Sequence, residues 1–198
     1  MLSSIRTITL FACMALTTSA YSSPELATTS LVNFHPSHDT FIRKDKMTKA
    51  HGKASKITIT KQGANQRIGL MKFDTADYDE EHFEEKEVKA YLRLGVSETF
   101  EGRPVKIKIL RLEGDFHEEH VSWRNFDGDA EIGDQVGFTV HDVEVNIDVS
   151  NLLKPGKDTV LAFVVEGEGH VKFYSKENGE GDMVSRSPML TLRHGDEL

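Results

Sequence analysis

Short segments in which apolar residues occupy every second position recur along this chain, without any long amphipathic helix pattern. In residues 88–96, valine, alanine and leucine alternate with lysine, tyrosine and arginine. This period of two is typical of a β-strand with one buried face. Strands are predicted at residues 31–34, 40–43, 56–60, 67–73, 88–96, 105–112, 143–149, 160–165, 171–175 and 189–192. Many short strands separated by turns predict an all-β fold, a two-sheet antiparallel β-sandwich of jelly-roll-like form.

The two ends of the chain are predicted to lie outside this domain. Residues 1–22 have a positive Arg6, an apolar run and small residues before a cleavage site, which is typical of a secretory signal peptide. We expect residues 23–30 to form a flexible leader, residues 31–193 the sandwich and residues 194–198 a C-terminal tail. The tail resembles an ER-retention signal except at Gly195. A secreted, extracellular protein is predicted, with the periplasm or the ER lumen as alternatives that depend on the host.

Cysteine content and charge exclude several classes of function. The chain has one cysteine, Cys13 in the predicted signal peptide, so no disulfide is expected in the mature chain. The formal net charge is −8, and removal of Arg6 with the signal peptide would make it −9. Such a balance argues against nucleic-acid binding, which needs a basic surface. Apart from the signal peptide, no apolar run approaches the roughly 20 residues of a membrane helix, so no membrane association is expected.

The segment 115–125 contains the only tryptophan, Trp123, between a predicted strand and a turn-rich stretch. We interpret the segment as a crossing from one sheet to the other, with Trp123 closing the end of the core. A single tryptophan in a small β-protein is more often a core residue than a ligand platform. Stacking of its ring on a sugar is the alternative.

A series of short motifs occurs in a fixed order along the chain. They are Asp39-Thr-Phe-Ile-Arg43, Gly69-Leu-Met-Lys-Phe-Asp74, Ala90-Tyr-Leu-Arg-Leu94, Glu119-x-x-Ser-Trp-x-Asn125, Ile147-Asp-Val-Ser-x-Leu-Leu153, Val171-x-Phe-Tyr-Ser-Lys-Glu177 and Ser187-Pro-x-Leu190. This order resembles the DNRLRE-type domain, also described as carbohydrate-binding module family 96, over residues 31–193. The resemblance implies a β-sandwich that binds polysaccharide, best supported for alginate, and that is usually appended to extracellular enzymes. We expect the domain to stand alone here, so a catalytic partner is not implied. Two departures are Phe116 in place of a frequent tryptophan and a longer acidic segment at residues 77–87.

Several polar residues are candidates for structural or metal-binding roles. Asp39 and Asp74, at strand edges, are predicted to fix turns by accepting backbone N–H bonds rather than to act as acids. Lys72 is expected either to pair with an acid or to face solvent. The pair His117 and His120 does not match the H-E-x-x-H zinc motif and has no third ligand in the sequence. Oxygen atoms of Asp127 and Asp129 could hold a structural calcium, although the loop lacks the glycine and glutamate of a calcium-binding loop, and an ordinary acidic turn is favoured.

Charge is divided unevenly between two neighbouring segments. Residues 41–72 carry nine basic side chains and one acid, Asp45, whereas residues 74–87 carry eight acids and one lysine. Such segments are usually solvated, and the two could also neutralise each other in the fold. The alternative is that the basic segment binds an anionic ligand. The residues predicted to bind it are Arg43, Lys44, Lys46, Lys49, Lys53, Lys56 and Arg67.

These observations predict a non-catalytic, secreted carbohydrate-binding domain, whose ligand is an acidic polysaccharide such as alginate. The alternative is an extracellular structural or surface protein that uses the sandwich for protein–protein contacts. A lyase or hydrolase is the least favoured function, because no nucleophile and base occur in a recognisable arrangement. No cofactor is expected apart from the possible structural calcium.

Overall fold

The computed structural model describes residues 30–78, 88–126, 135–141, 143–178 and 186–194. Three 3-10 turns, Lys44–Lys46, Phe100–Gly102 and Ser150–Leu152, interrupt the strands. No helix in these ranges is long and apolar enough to cross a membrane. The strands are β1 (Ser30–Phe34), β2 (His38–Arg43), β3 (Lys56–Gln62), β4 (Asn65–Phe73), β5 (Val88–Thr99), β6 (Val105–Arg111), β7 (Gln135–Val140), β8 (Glu144–Asp148), β9 (Thr159–Val165), β10 (Gly169–Tyr174) and β11 (Met189–His194).

All strand pairs are antiparallel, and the pairing joins the strands into one sheet in the order β1-β11-β5-β10-β3-β4-β9-β6-β7. Strand β2 lies beside β4, and β8 lies beside β5. The long strand β5 links β1, β8 and β11 to the remaining strands of this sheet. Its residues 88–95 pair with β11 and β8, whereas residues 96–99 pair with β10. The all-β, antiparallel fold predicted from the alternating pattern is therefore confirmed.

The sheet folds over itself around one main core. In a flat sheet, β9 and β10 would be about 14 Å apart, because three strand spacings separate them. Instead the ring centroids of Phe163 on β9 and Phe173 on β10 are 6.5 Å apart. At Gly69 of β4, a Cβ atom would lie only 2.9 Å from the side chain of Ile57 on β3. Because glycine has no side chain, Ile57 can pack this close to the backbone of β4. These contacts support the predicted two-layer arrangement, with the core filled by side chains such as Met71, Phe73, Leu92, Leu94, Ile107, Leu161, Val171 and Leu192.

A second apolar cluster covers the other face of β2, β4, β6 and β9. The segment 112–126 lies over these strands and contributes Leu112, Phe116 and Val121, while Trp123 is half-buried against the cluster. The prediction that this segment crosses between sheets is wrong, because β6 and β7, which it helps to connect, are neighbours in register. Trp123 consequently packs on the outer cluster and does not close the end of the main core.

Candidate functional site

Four neighbouring strands bring basic residues from distant parts of the chain into one row. Arg43 at the end of β2 is in register with Arg67 near the start of β4. Arg67 is also in register with Thr60 of β3, which in turn pairs with His170 of β10. Cross-strand partners lie about 5 Å apart, so the two arginines are held side by side by backbone pairing.

The loop after β2 adds further positive charge around His51. The imidazole of His51 is stacked on the ring of Phe41, with centroids 4.4 Å apart. Burial lowers the pKa of His51, and the positive charges of nearby basic side chains lower it further. Those side chains are Lys49, Arg43, Arg67 and Lys46. We call Arg43, Lys46, Lys49, His51 and Arg67 the basic surface.

Arg67 is the residue of the basic surface whose positive charge is least compensated by hydrogen-bond acceptors or acidic side chains. Its side chain is half-buried, and its Nε has no hydrogen-bond partner in the described chain. Burial lowers the pKa of the Arg67 guanidinium, and the charge of Arg43 lowers it further. Asp45 is the nearby acid, but it accepts hydrogen bonds from Nε and Nη2 of Arg43. A guanidinium that has lost water without gaining an acceptor favours the binding of an anion.

An open groove of about 550 Å³ borders the basic surface. The loop residues 49–54 form one wall, and Glu119 and His120 form the other. Lys53 pairs with Glu119 across it, with Nζ 3.1 Å from Oε1. The walls are packed tightly together beneath, because a Cβ on Gly52 would lie 2.5 Å from the backbone oxygen of Glu118. Lys49, His51 and Lys53 are among the residues that line the groove, so the groove adjoins the basic surface.

The predicted binding residues divide into three groups. Arg43, Lys46, Lys49 and Arg67 are brought together around His51 by the fold, and their binding of a ligand stays a prediction. Lys44 is exposed in the 3-10 turn, and Lys53 is engaged by Glu119. Lys56 lies apart at the start of β3, where its Nζ is 5.9 Å from the centroid of the Tyr174 ring.

The alternation in residues 56–60 predicts that Ile57 and Ile59 face the core and that Lys56, Thr58 and Thr60 share a polar face. Ile57 and Ile59 are indeed buried, but Thr58 and Thr60 are also buried, at 7% and 4% exposed. Neighbouring strands account for this, since Thr58 pairs with Lys172 and Thr60 pairs with both Arg67 and His170. Cross-strand partners share a face, so the long side chains of Lys172, Arg67 and His170 lie beside the threonines.

Two residues of β10 extend the basic surface and were missed in the sequence. Burial lowers the pKa of His170, Glu98 raises it, and the charges of Lys172 and Arg67 lower it. Lys172 pairs with Glu98, with Nζ 2.6 Å from Oε2. The alternation in 169–174 indicates that His170 and Lys172 share a face, but only the pairing of β10 with β3 places that face beside Arg67.

A buried polar network fastens the segment 112–126 to the sheet. Asp39 is 1% exposed and accepts hydrogen bonds from Ser175 Oγ at 2.9 Å and from the Lys176 N–H at 2.7 Å. Burial raises the pKa of Asp39 to about 6, against the lowering effect of these bonds. Glu118 accepts from the Asp39 N–H at 2.9 Å and from Lys176 Nζ at 2.9 Å. The network has the structural role predicted for Asp39.

The sequence model of carbohydrate-binding module family 96 matches residues 30–188 of this chain. The chain belongs to carbohydrate-binding module family 96. No match was found among curated proteins. Membership makes this a domain of a carbohydrate-binding family, in agreement with the resemblance found in the motifs.

The motifs that indicate family 96 have mainly structural roles here. Asp39 of the first motif and Ser175 and Lys176 of the sixth meet in the buried network. Asn125 of the tryptophan motif accepts from the Ser122 N–H at 2.6 Å and donates to the His120 carbonyl at 2.9 Å, which closes the turn. These motifs therefore identify the family 96 fold more directly than its ligand.

Other charged candidates in this family 96 domain are engaged in internal contacts. Lys72 Nζ lies 3.1 Å from carboxylate oxygens of both Asp115 and Asp158, so it is paired and not solvated. Asp74 accepts from Ser37 Oγ at 2.6 Å. Asp74 also lies about 23 Å along β4 from Arg67, given about 3.3 Å per residue. Neutralisation of the basic surface by the acidic segment stays untested, because residues 79–87 lie outside the described residues.

The structure describes the surroundings of one of the two candidate metal sites. The rings of His117 and His120 are stacked, with centroids 4.7 Å apart, and His38 is 4.7 Å from His117. Within the described ranges, no group of three or more histidine, cysteine or acidic residues is arranged to hold a metal. Asp127 and Asp129, the predicted calcium ligands, lie outside the described residues, so that site stays a prediction.

Proposed function

We propose that this domain binds an acidic polysaccharide, such as alginate, on the basic surface. Family membership supports carbohydrate as the class of ligand. The observation that favours an acidic one is the half-buried guanidinium of Arg67, which lacks an acceptor and lies among other cations. A sugar carboxylate would supply both the missing acceptor and the missing negative charge.

The two arginines and the lysines would contribute in different ways. A guanidinium binds a carboxylate through two parallel hydrogen bonds, which fixes the orientation of the sugar. Lysines such as Lys46 and Lys49 contribute charge with little directionality, about 0–1 kcal/mol for each exposed pair. A polymer that repeats its carboxylate can engage several of these residues at once, and its avidity then exceeds that of any single pair.

Binding without cleavage is part of this proposal. The acids beside the basic surface already have partners: Asp45 is bound by Arg43, and Glu119 is bound by Lys53. Glu118 is occupied by a backbone N–H and a lysine of the buried network. Glycoside hydrolysis requires a pair of available carboxylates across a cleft, and the proposal assigns none of these acids to such a pair. We expect no new reducing ends or unsaturated uronates after long incubation with alginate.

We also propose that the protein is secreted and acts outside the cell. The support is the signal-peptide pattern of residues 1–22 and the class of ligand of the family. Detection of the protein, shortened at its N-terminus, in the medium or the periplasm of the expressing cell would test this.

Gel retardation with a double variant tests the ligand and its site. Arg67→Gln with Lys49→Gln removes two positive charges from the basic surface. We expect alginate to retard this double variant at least tenfold less than it retards the parent. The matched control, Arg103→Gln with Lys106→Gln, removes the same charge at the start of β6 and in the loop just before it, and should migrate like the parent. Equal retardation of the two double variants would contradict the site.

Neutral glucans separate the remaining alternatives. If they retard the parent as strongly as alginate does, the ligand is carbohydrate but not an acidic one. If no glycan retards it at all, the alternative of a structural protein with protein–protein contacts is favoured.

A further inference from the structure

A second groove lies on the outer face of β1, β11, β5 and β8. Ala90, Leu92 and Leu94 are fully buried, so the intervening side chains of β5 point away from the core. This outward face forms a groove of about 340 Å³. Its polar and charged lining residues are Tyr91, Arg93, Glu144, Asn146, Thr191 and Arg193, together with Met189. Among the described residues, the exposed Glu144 forms no ion pair with either arginine.

The guanidinium of Arg93 lacks an oxygen acceptor. Arg93 is half-buried, its Nε is buried without a hydrogen-bond partner, and its Nη2 contacts only the Met189 sulfur, at 4.0 Å. The exposed Arg193 adds a second cation at the groove. Neither arginine forms an ion pair with a residue of the described chain. A partly desolvated guanidinium in contact with a thioether is poorly compensated, and a carboxylate in the groove would correct this.

The other lining groups suit the remainder of a sugar. Tyr91 provides a half-buried aromatic ring, and such rings pack against the apolar face of a pyranose while the hydroxyl stays hydrated. Asn146 provides an exposed amide that can both donate to and accept from sugar hydroxyls. Thr191 is already fixed by a hydrogen bond of 2.8 Å to Asn33.

The groove is built on paired strands and is therefore preformed. Thr191 of β11 is in register with both Asn33 of β1 and Tyr91 of β5, and Tyr91 is in register with Asp148 of β8. Side chains anchored on four adjacent strands lose little freedom when a ligand binds. None of the residues that line this groove belongs to the basic surface.

We propose that this groove is a second, independent glycan site, which takes one uronate unit with its carboxylate on Arg93 and its ring on Tyr91. The ligand class rests on the proposed function, but the site does not share its residues. A domain with two such sites would hold two stretches of an anionic polysaccharide at once.

Titration of the isotopically labelled protein with an alginate tetramer, followed by backbone NMR, tests this site. We expect two separate sets of shifted amides, one around Arg67 and one around Tyr91, Arg93 and Thr191. Arg93→Gln should abolish the second set and leave the first unchanged. Arg67→Gln should do the reverse, and the control Lys106→Gln should leave both.

Each other outcome decides the fate of at least one of the two sites. Shifts confined to the Arg67 region overturn the second site and leave the proposed function intact. Shifts confined to the Arg93 region support the groove and contradict the basic surface, and no shifts in either region overturn both. A cellulose tetramer that shifts the groove as strongly as the alginate tetramer would overturn the assignment of a carboxylate to Arg93.

Discussion

Asp39 couples the stability of the domain to pH. Burial raises its pKa to about 6 in the folded chain, whereas an unfolded chain has a value near 3.9. The folded state therefore holds the proton more tightly, and the contribution of Asp39 to stability falls as the pH rises from about 4 to about 6. The decrease amounts to about 3 kcal/mol at most.

The variant Asp39→Asn cannot titrate, which isolates this effect. Urea unfolding of parent and variant at several pH values should give a free-energy difference that changes between pH 4 and 6.5, with the parent losing stability relative to the variant. A difference that stays constant over this range would show that Asp39 does not titrate there.

Trp123 is expected to stabilise the fold, even though it does not lie in the main core. Its half-buried indole packs against the outer cluster, so truncation to alanine should cost about 2 kcal/mol, below the usual cost for a fully buried ring. For a domain of this size, the melting temperature should fall by about 4–8 °C. Trp123→Phe keeps most of the contact and serves as the control. An unchanged melting temperature with lost sugar binding would identify the ring as a ligand platform.

At the level of single residues, the sequence shows which charged residues are present but not which residues they contact. The basic residues of 41–72 could be counted directly, and four of them lie together around His51. Lys56 could not be separated from them, because its placement beside Tyr174 depends on the pairing of β3 with β10. The roles of His51 and His170 depend in the same way on contacts between distant segments.

The segment 112–126 is an element without regular structure that relies on a few polar contacts. Glu118 binds the Asp39 N–H and Lys176, and the Arg124 N–H donates to the Met47 carbonyl at 2.8 Å. We expect Glu118→Ala to increase hydrogen exchange of residues 116–126 and to shift the emission of Trp123 to longer wavelength, because the segment is no longer fastened to the sheet.

The strands beneath provide the internal reference for this experiment. Amides of β4 and β9 should exchange as slowly in the variant as in the parent. Uniformly faster exchange would mean that Glu118 supports the whole fold and not only the segment. Glu119→Ala, which removes an exposed acid next to it, should change neither region.

At the level of elements, periodicity was sufficient for most strands. Every predicted strand is present, and the short 3-10 turn Ser150–Leu152 follows β8. Strand β7 was missed, although Val136, Phe138 and Val140 alternate, because Gly137 and the turn-rich stretch before it weaken the pattern. Sheet order could not be predicted, since alternation gives the buried face of a strand but not its neighbour.

The whole molecule carries net negative charge around a local basic surface, which predicts an unusual salt dependence. At about 0.01 M salt the Debye length is about 30 Å, so the formal charge of −8 repels a polyanion before it reaches the arginines. At about 0.1 M this length is about 10 Å, and at 1 M it is about 3 Å, where the contacts themselves weaken. Affinity for alginate should therefore pass through a maximum at intermediate salt.

Dissociation constants measured at 0.01, 0.1 and 1 M salt would test this expectation about the whole charge distribution. A steady decrease in affinity from the lowest salt would mean that the basic surface dominates even at long range. A salt-independent affinity would mean that charge contributes little and would count against an acidic ligand.

The pairing of β1 with β11 also sets the order of events while the chain is being made. In the described chain, β1 is hydrogen-bonded only to β11. The Asp39 carboxylate accepts hydrogen bonds from Ser175 and Lys176, which are synthesised more than 130 residues later. When three quarters of the chain has been synthesised, β11 does not yet exist, and β1 therefore has no strand to pair with. Nascent chains arrested after residue 170 should remain sensitive to protease, whereas release of the full-length chain should confer resistance within seconds, the slow end of the range for folds dominated by distant contacts.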